Sequence, residues 1–283
     1  MPDNIYISSV AFSGCSVEDM IATAVENDFN IEFSSGMSYR SDMESIYLNA
    51  PLKKLAHNYF PAPLEPFVIN LASSNPVIRE RSVEHCINGL RISKESGSPF
   101  FAAHAGFCID PGASELGQPL TIDRNFDKAL HWSIFLESVN RILSEAEILQ
   151  TDFLIENNVI APFNYHHKTN PLLCCESNDI TDLFNAISHP RLGLLLDTAH
   201  LKVSCITLGL DMEQELEKIK PYISALHHSD NDGHADTNAP LDDTYWFLPH
   251  IKAYNNKVQV IEVKKLTTEE MHKHIKLLQY AAN

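Results

Sequence analysis

Nothing in the 283-residue sequence concentrates positive charge: 21 Lys+Arg face 37 Asp+Glu, for a formal net charge of −16 at pH 7. The nearest approaches to a basic cluster are two isolated pairs, Lys53-Lys54 and Lys264-Lys265. Nucleic-acid affinity rests largely on Lys and Arg neutralising phosphates, so no nucleic-acid partner is expected. Long apolar runs are missing too. Leu194-Leu195-Leu196 is representative, far below the ~20 residues that cross a bilayer, and no membrane partner is expected. The six cysteines, at 15, 86, 108, 174, 175 and 205, form no Cys-x-x-Cys pair and suit free, mostly buried thiols in a reducing compartment. The start, Met1-Pro2-Asp3-Asn4-Ile5-Tyr6, has neither a basic nor an apolar segment of the secretory kind, which makes a cytoplasmic location the expectation. Gly-x-Gly-x-x-Gly and Gly-x-x-x-x-Gly-Lys-[Ser/Thr] are absent, so nothing signals a cradle for nucleotide phosphates. Gly-x-Ser-x-Gly is absent as well, leaving no support for a serine triad. Cys174-Cys175 lie between Leu172-Leu173 and Glu176, lacking the partner His and open setting of a nucleophile.

What is present is an ordinary globular composition, 44% hydrophobic and 20% charged, in a chain long enough to bury a large core without staples. Eight short runs read as strands: Ile5–Ala11, Phe29–Ser34, Lys54–Phe60, Pro99–His104, Asp152–Glu156, Leu192–Leu196, Ile223–His227 and Lys257–Glu262. Between them, Val77–Gly97, Phe126–Leu149, Ile180–Ile187, Met212–Ile219 and Glu269–Leu278 carry apolar residues three and four apart, the spacing of a one-sided helix. Ser16 with Asp19, and Thr267 with Glu270, fit capping boxes. Strands alternating with helices, without an internal linker, predict a single (β/α)8 TIM-barrel domain over residues 1–283. An open doubly wound sheet is the runner-up, but the first turn, Phe12-Ser13-Gly14-Cys15-Ser16, has only one glycine.

The last six of these strands end on, or run into, a His, Asp or Glu: His57, His104, Glu156, Asp197, His227 and Glu262. A lone His on an apolar strand is more often a satisfied core residue than a ligand. A carboxylate after three leucines is harder to dismiss, because an unpaired buried charge is strongly unfavourable. The C-terminal strand ends of a (β/α)8 barrel converge on one mouth, so six such residues together point to a shared metal site. Imidazole and carboxylate ligands without thiolate suit Zn²⁺, Mn²⁺, Fe²⁺ or Co²⁺. His200, His234, Asp236 and Asn238 follow the sixth and seventh strands as orienting groups or as ligands of a further ion. His166-His167 are placed at the mouth, although paired loop histidines are common on surfaces.

The segments Ile155-Glu156-Asn157, Leu196-Asp197-Thr198-Ala199-His200, His227-His228-Ser229-Asp230-Asn231-Asp232-Gly233 and Ile261-Glu262, in this order, resemble the xylose-isomerase-like metal-dependent barrels. Asn70-Leu71-Ala72-Ser73 and His104-Ala105-Gly106 also look like that family's signatures. The resemblance spans nearly the whole chain. It implies one divalent ion (Zn, Mn, Mg, Fe or Co) on Glu156, Asp197, His227 and Glu262, with the two glutamates also exchanging a substrate proton. It implies that His200 contacts a sugar. In the family's abasic-site endonuclease branch, it implies that His57 and His104 help bind a second ion, and that His200 joins an Asp-x-His for a third. Here that motif reads Asp236-Thr237-Asn238, and Leu241-Asp242-Asp243 stands where many relatives have Gly-x-Gly.

These readings favour a metal-dependent isomerase or epimerase of a small sugar, polyol or sugar phosphate, working through an enediolate. The charge suits a neutral substrate better than a phosphorylated one, unless Lys264 or Arg40 offsets it. The alternatives are a multi-metal phosphodiesterase of the abasic-site endonuclease type and a catalytically idle barrel that binds a sugar or a partner protein. A homo-oligomer stays open.

Overall fold

The computed structural model describes residues 3–121, 126–167 and 169–282; Met1 and Pro2 of the N-terminal reading lie outside the described residues. Eight parallel strands close into a barrel in sequence order: β1 Ile5–Ser8, β2 Ile31–Phe33, β3 Lys54–His57, β4 Phe100–His104, β5 Asp152–Glu156, β6 Leu192–Asp197, β7 Ile223–His228 and β8 Val258–Ile261. The α-helices are α1 Val17–Glu26, α2 Met43–Asn49, α3 Pro76–Ser96, α4 Lys128–Leu149, α5 Ser177–Ala186, α6 Thr198–Leu208, α7 Met212–Ile219 and α8 Thr268–Ala282. Their distribution is uneven: α6 and α7 both lie between β6 and β7, while a 3-10 segment, Leu248–Tyr254, stands between β7 and β8. No helix among the described residues is long and apolar enough to cross a membrane.

The helix ends follow from local chemistry. The Ser16 hydroxyl accepts the Asp19 N–H at 3.1 Å and donates to its carboxylate at 2.7 Å. At α8, Thr267 and Glu270 exchange the same contacts, the Thr267 N–H meeting Glu270 Oε2 at 2.8 Å. Asn75 caps α3 ahead of Pro76, and Gly97 ends it at a φ of 76°, which costs no Cβ strain.

Several expected strands are shorter. β1 passes at Ser9 into a 3-10 turn, Ser9–Phe12. β3 stops at His57 because Asn58 turns left-handed, at a φ of 49°. β6 and β7 each run one residue further than expected, through Asp197 and His228.

Strand alternation sends every second side chain into the barrel. Tyr6, Leu55, Phe100, Ala102, Leu154, Leu195, Ala225 and Val260 form one buried cluster there. The other face of the strands, including Ile7, Phe33, Phe101, Phe153, Leu194 and Ile261, packs into the larger core beneath the helices. Two residues beyond the interior cluster, on the same inward face, come His57 after Leu55, His104 after Ala102, Glu156 after Leu154, Asp197 after Leu195, His227 after Ala225 and Glu262 after Val260. The candidate residues are thus the polar layer directly above an apolar plug. Parallel pairing keeps them level: His104 is opposite Glu156, and Asp197 opposite His227.

Candidate metal centre

The polar layer brings together ligand atoms of Glu156, Asp197, His227 and Glu262, all within 4.8 Å of one another. His227 Nδ1 lies 2.9 Å from Glu262 Oε2 and 3.3 Å from Glu156 Oε1. His57 Nε2 is 2.8 Å from Glu156 Oε2, and His104 Nδ1 is 3.3 Å from the same oxygen. The neighbouring strand supplies the clamp for Asp197. Asn157 accepts the Asp197 N–H through Oδ1 at 2.7 Å and donates from Nδ2 to the Asp197 carbonyl at 3.1 Å. Asp197 also caps α6, its Oδ1 accepting the His200 N–H at 2.8 Å. His200 Nδ1 meets the Asn157 carbonyl at 2.8 Å, so its Nε2 turns toward Asp236 Oδ2, 3.4 Å away.

Glu32, inward-facing on β2, was not foreseen. It is fully buried, with Oε2 2.8 Å from His227 Nε2 and Oε1 3.9 Å from His57 Nδ1. The one sequence signal for it is a charge between Ile31 and Phe33, which alternation turns away from those two and into the barrel.

Five carboxylates, Glu32, Glu156, Asp197, Asp236 and Glu262, share this layer with four imidazoles, His57, His104, His200 and His227. Burial opposes the charged form of Glu156, but His104, His57 and His227 outweigh it and hold the carboxyl well below its usual range. Burial likewise opposes charge on His227, and Glu32, Glu262 and Glu156 reverse that, raising its pKa well above the ordinary value. His200 is raised the same way by Asp197 and Asp236. Burial brings His104 down to about 4. Asp197 is the carboxylate left over: burial, reinforced by Asp236, Glu262 and Glu156, pushes it up to about 7 despite His200. The arrangement therefore carries an excess of negative charge.

Two buried oxygens of the four-residue set, Asp197 Oδ2 and Glu156 Oε1, make no hydrogen bond among the described residues. Together with an all-N/O donor set, they fit a divalent cation that takes up lone pairs no protein donor fills.

The centre floors a cavity of about 750 Å³ lined by His104, Glu156, His200, Asp236, Glu262 and Lys264. Tyr59, Phe67, Phe107 and Phe163 form part of its wall. Asn238 also lines it, buried and left-handed at a φ of 48°. Other expectations fail. His166 and His167 are exposed and do not line the cavity; His166 is held in a bridge to Thr169. His234 is exposed on its own turn, its N–H bonded to Asp232. Arg40 lies outside this cavity, neutralised by Glu18 and Asp42. The cysteines, by contrast, are as expected: free, and all but Cys15 buried.

The sequence profile of the xylose isomerase-like TIM barrel family matches residues 31–276. A D-tagatose 3-epimerase-like protein superposes with a TM-score of 0.74 at 17% identity, covering 98% of this chain and 96% of its own. A zinc chloride-soaked protein from Thermus thermophilus gives 0.68 at 18% identity, covering 99% and 98%. D-psicose 3-epimerase from Clostridium cellulolyticum, with D-tagatose, gives 0.64 at 15% identity, covering 99% and 95%. These likenesses establish a shared fold. No curated protein sequence matches the chain.

Proposed function

The chain belongs to the xylose isomerase-like TIM barrel family, and from that premise we propose that it is a divalent-metal-dependent sugar isomerase or epimerase. The observation that carries the reading is the set Glu156, Asp197, His227 and Glu262, with ligand atoms within 4.8 Å and Glu156 and Glu262 both facing one cavity. The epimerases that share the fold support the substrate class.

In this reading Glu156, Asp197, His227 and Glu262 hold the ion, which supplies positive charge where a carbonyl oxygen gains negative charge. Glu156 and Glu262, three strands apart around the ring, take and return the proton on the substrate carbon. His200, anchored at Nδ1, offers Nε2 with Asp236 to a sugar hydroxyl. Tyr59, Phe67, Phe107 and Phe163 give the sugar's C–H faces an apolar wall and limit water near the reacting carbon.

Turnover of a ketose panel in D₂O tests this. Deuterium on the substrate carbon, lost in Glu156→Gln and in Glu262→Gln, is the expected result. Turnover with all original hydrogen retained refutes proton exchange in favour of a hydride shift. Saturable sugar binding without turnover at any metal loading refutes the enzyme reading and leaves a binding barrel.

The approach of His57 and His104 to Glu156 favours a second reading, a multi-metal phosphodiesterase acting on abasic DNA. Asn238 opposes it, since a neutral amide oxygen is a poor substitute for imidazole on a zinc-like ion, as does the charge of −16. Incision of abasic-site DNA at low salt with zinc, lost on Asp236→Ala, would establish that second activity.

A further inference from the structure

We propose that Glu32 is a positioning residue of the metal centre: it grips His227 at Nε2 and thereby presents the Nδ1 lone pair to the ion. The inference rests on the reading that Glu156, Asp197, His227 and Glu262 hold that ion.

A carboxylate fully buried in a barrel costs free energy unless it is paired. Glu32 does not line the cavity, so substrate does not explain its placement. Its partner is His227, whose Nε2 stands 2.8 Å from Oε2. An ionised carboxylate only accepts hydrogen bonds, so this contact requires the proton on Nε2. Without an ion Nδ1 also carries a proton, donated to Glu262 Oε2; a cation would displace that proton, and with the Nε2 N–H held by Glu32 it is the Nδ1 lone pair that becomes available. Nδ1 is the nitrogen that faces Glu262 Oε2 at 2.9 Å and Glu156 Oε1 at 3.3 Å. The tautomer that Glu32 selects is therefore the one that can bind a cation among those oxygens. A carboxylate on the far nitrogen also fixes the ring plane and raises the basicity of the near one.

A competing arrangement puts the ion deeper, with Glu32 as a direct ligand beside His57, His227 and Glu262, whose ligand atoms also fall within 4.8 Å. Two observations favour the outer position. The outer set holds two buried oxygens without hydrogen bonds, Glu156 Oε1 and Asp197 Oδ2, whereas the deeper set holds one, Glu32 Oε1. In the deeper set His57 Nδ1 is already engaged by the Ser34 hydroxyl at 2.9 Å, and its Nε2 by Glu156 at 2.8 Å.

The test compares wild type with Glu32→Gln, both stripped with chelator and titrated with zinc against a chromophoric competitor. Orienting carboxylates of this kind are worth roughly 10–100-fold in metal affinity, so the zinc Kd should rise by about that factor. The melting temperature of the metal-free variant should fall, since His227 loses a buried counter-charge, so affinity and not stability is the deciding readout. On a His227→Ala background, Glu32→Gln should leave the residual Kd unchanged within about threefold. Glu32→Asp, which keeps the charge but shortens its reach, should shift affinity in the same direction and serves if the Gln variant folds poorly.

An unchanged Kd with a lowered metal-free melting temperature would mean a purely structural role and overturn the proposal. So would anomalous scattering from a zinc-loaded crystal placing Glu32 directly on the ion, at the ~2.0–2.2 Å of a carboxylate ligand. If wild type binds no metal at all, both this inference and the reading beneath it fall. If wild type binds metal and Glu32→Gln binds equally well, only the inference does.

Discussion

Adding the ion to metal-free protein should stabilise the fold measurably. Without it, Asp197 Oδ2 stays buried with no hydrogen-bond partner among the described residues, a situation that costs ~1–3 kcal/mol. An ion that binds only the native state adds RT ln(1 + [M]/Kd), about 2.7 kcal/mol at one hundred times Kd and about 4.1 at one thousand times. Unfolding entropy near roughly 2.1 cal/mol/K per residue gives about 0.6 kcal/mol/K for the 283-residue chain. The melting temperature should therefore rise by ~4–5 °C at the lower concentration and by ~7 °C at the higher. The assay is thermal unfolding of chelator-stripped protein against zinc, manganese, cobalt and magnesium. The shift should vanish in Asp197→Asn, whose metal-free form should melt no lower than wild type, because burial and the neighbouring carboxylates already disfavour charge at that position. A wild-type shift below about 1 °C for every metal, or the same shift in Asp197→Asn, would refute the reasoning.

Two predictions concern the scaffold. Gly89 in α3 sits so close to β4 that a Cβ would lie 2.3 Å from the ring of the fully buried Phe101. Gly89→Ala recovers about 1 kcal/mol of helix propensity against ~1–3 kcal/mol of overpacking, so a lower urea midpoint is expected and an equal or higher one rejects the packing argument. His274 on α8 is buried with neither ring nitrogen hydrogen-bonded among the described residues, and burial, aided by Lys273, lowers its pKa. The unfolded chain therefore binds the proton more readily, and stability is lost as pH falls through the ordinary histidine value of ~6.5, by up to ~1.4 kcal/mol per pH unit. His274→Leu should flatten that acid limb in denaturant titrations, and curves parallel to wild type would contradict it.

The barrel and most of the site were legible because both are written in the same period of two. Leu154 with Glu156, Leu195 with Asp197 and Val260 with Glu262 place a polar residue one inward step beyond an apolar one. That step is readable once the strand is recognised. Glu32 escaped because it lies between two apolar residues inside the expected strand Phe29–Ser34, whereas the other site residues stood out as the polar groups on which their strands end. Helix α6 gave no one-sided stripe: Ala199, Leu201, Val203 and Cys205 are all buried, as are Thr198, His200 and Ser204, so burial all round erased the 3.6-residue contrast. The cavity wall was unreadable for a different reason. Phe67, Phe107 and Phe163 come from three separate connections, and nothing local in a loop sequence encodes which other loop it meets.

The site also shows how one layer can tolerate so much unpaired polarity. Ion pairs such as His57–Glu156 and His227–Glu262 draw its residues together, but five carboxylates against four imidazoles leave that attraction incomplete. The layer is also held from behind. Asn157 fixes the Asp197 backbone from both sides and turns His200 through its own carbonyl, tying the end of β5 to the end of β6. Thr198 donates to the His227 carbonyl at 3.0 Å, carrying the same tie to β7. Each link ends on a backbone N–H or carbonyl, which the strands hold in place. The apolar plug below, from Leu55 round to Val260, supplies the burial that offsets the strained layer above it. Adding a cation therefore changes the electrostatics of the mouth while the strand ends keep their positions, which is the preorganisation a metal-assisted reaction requires.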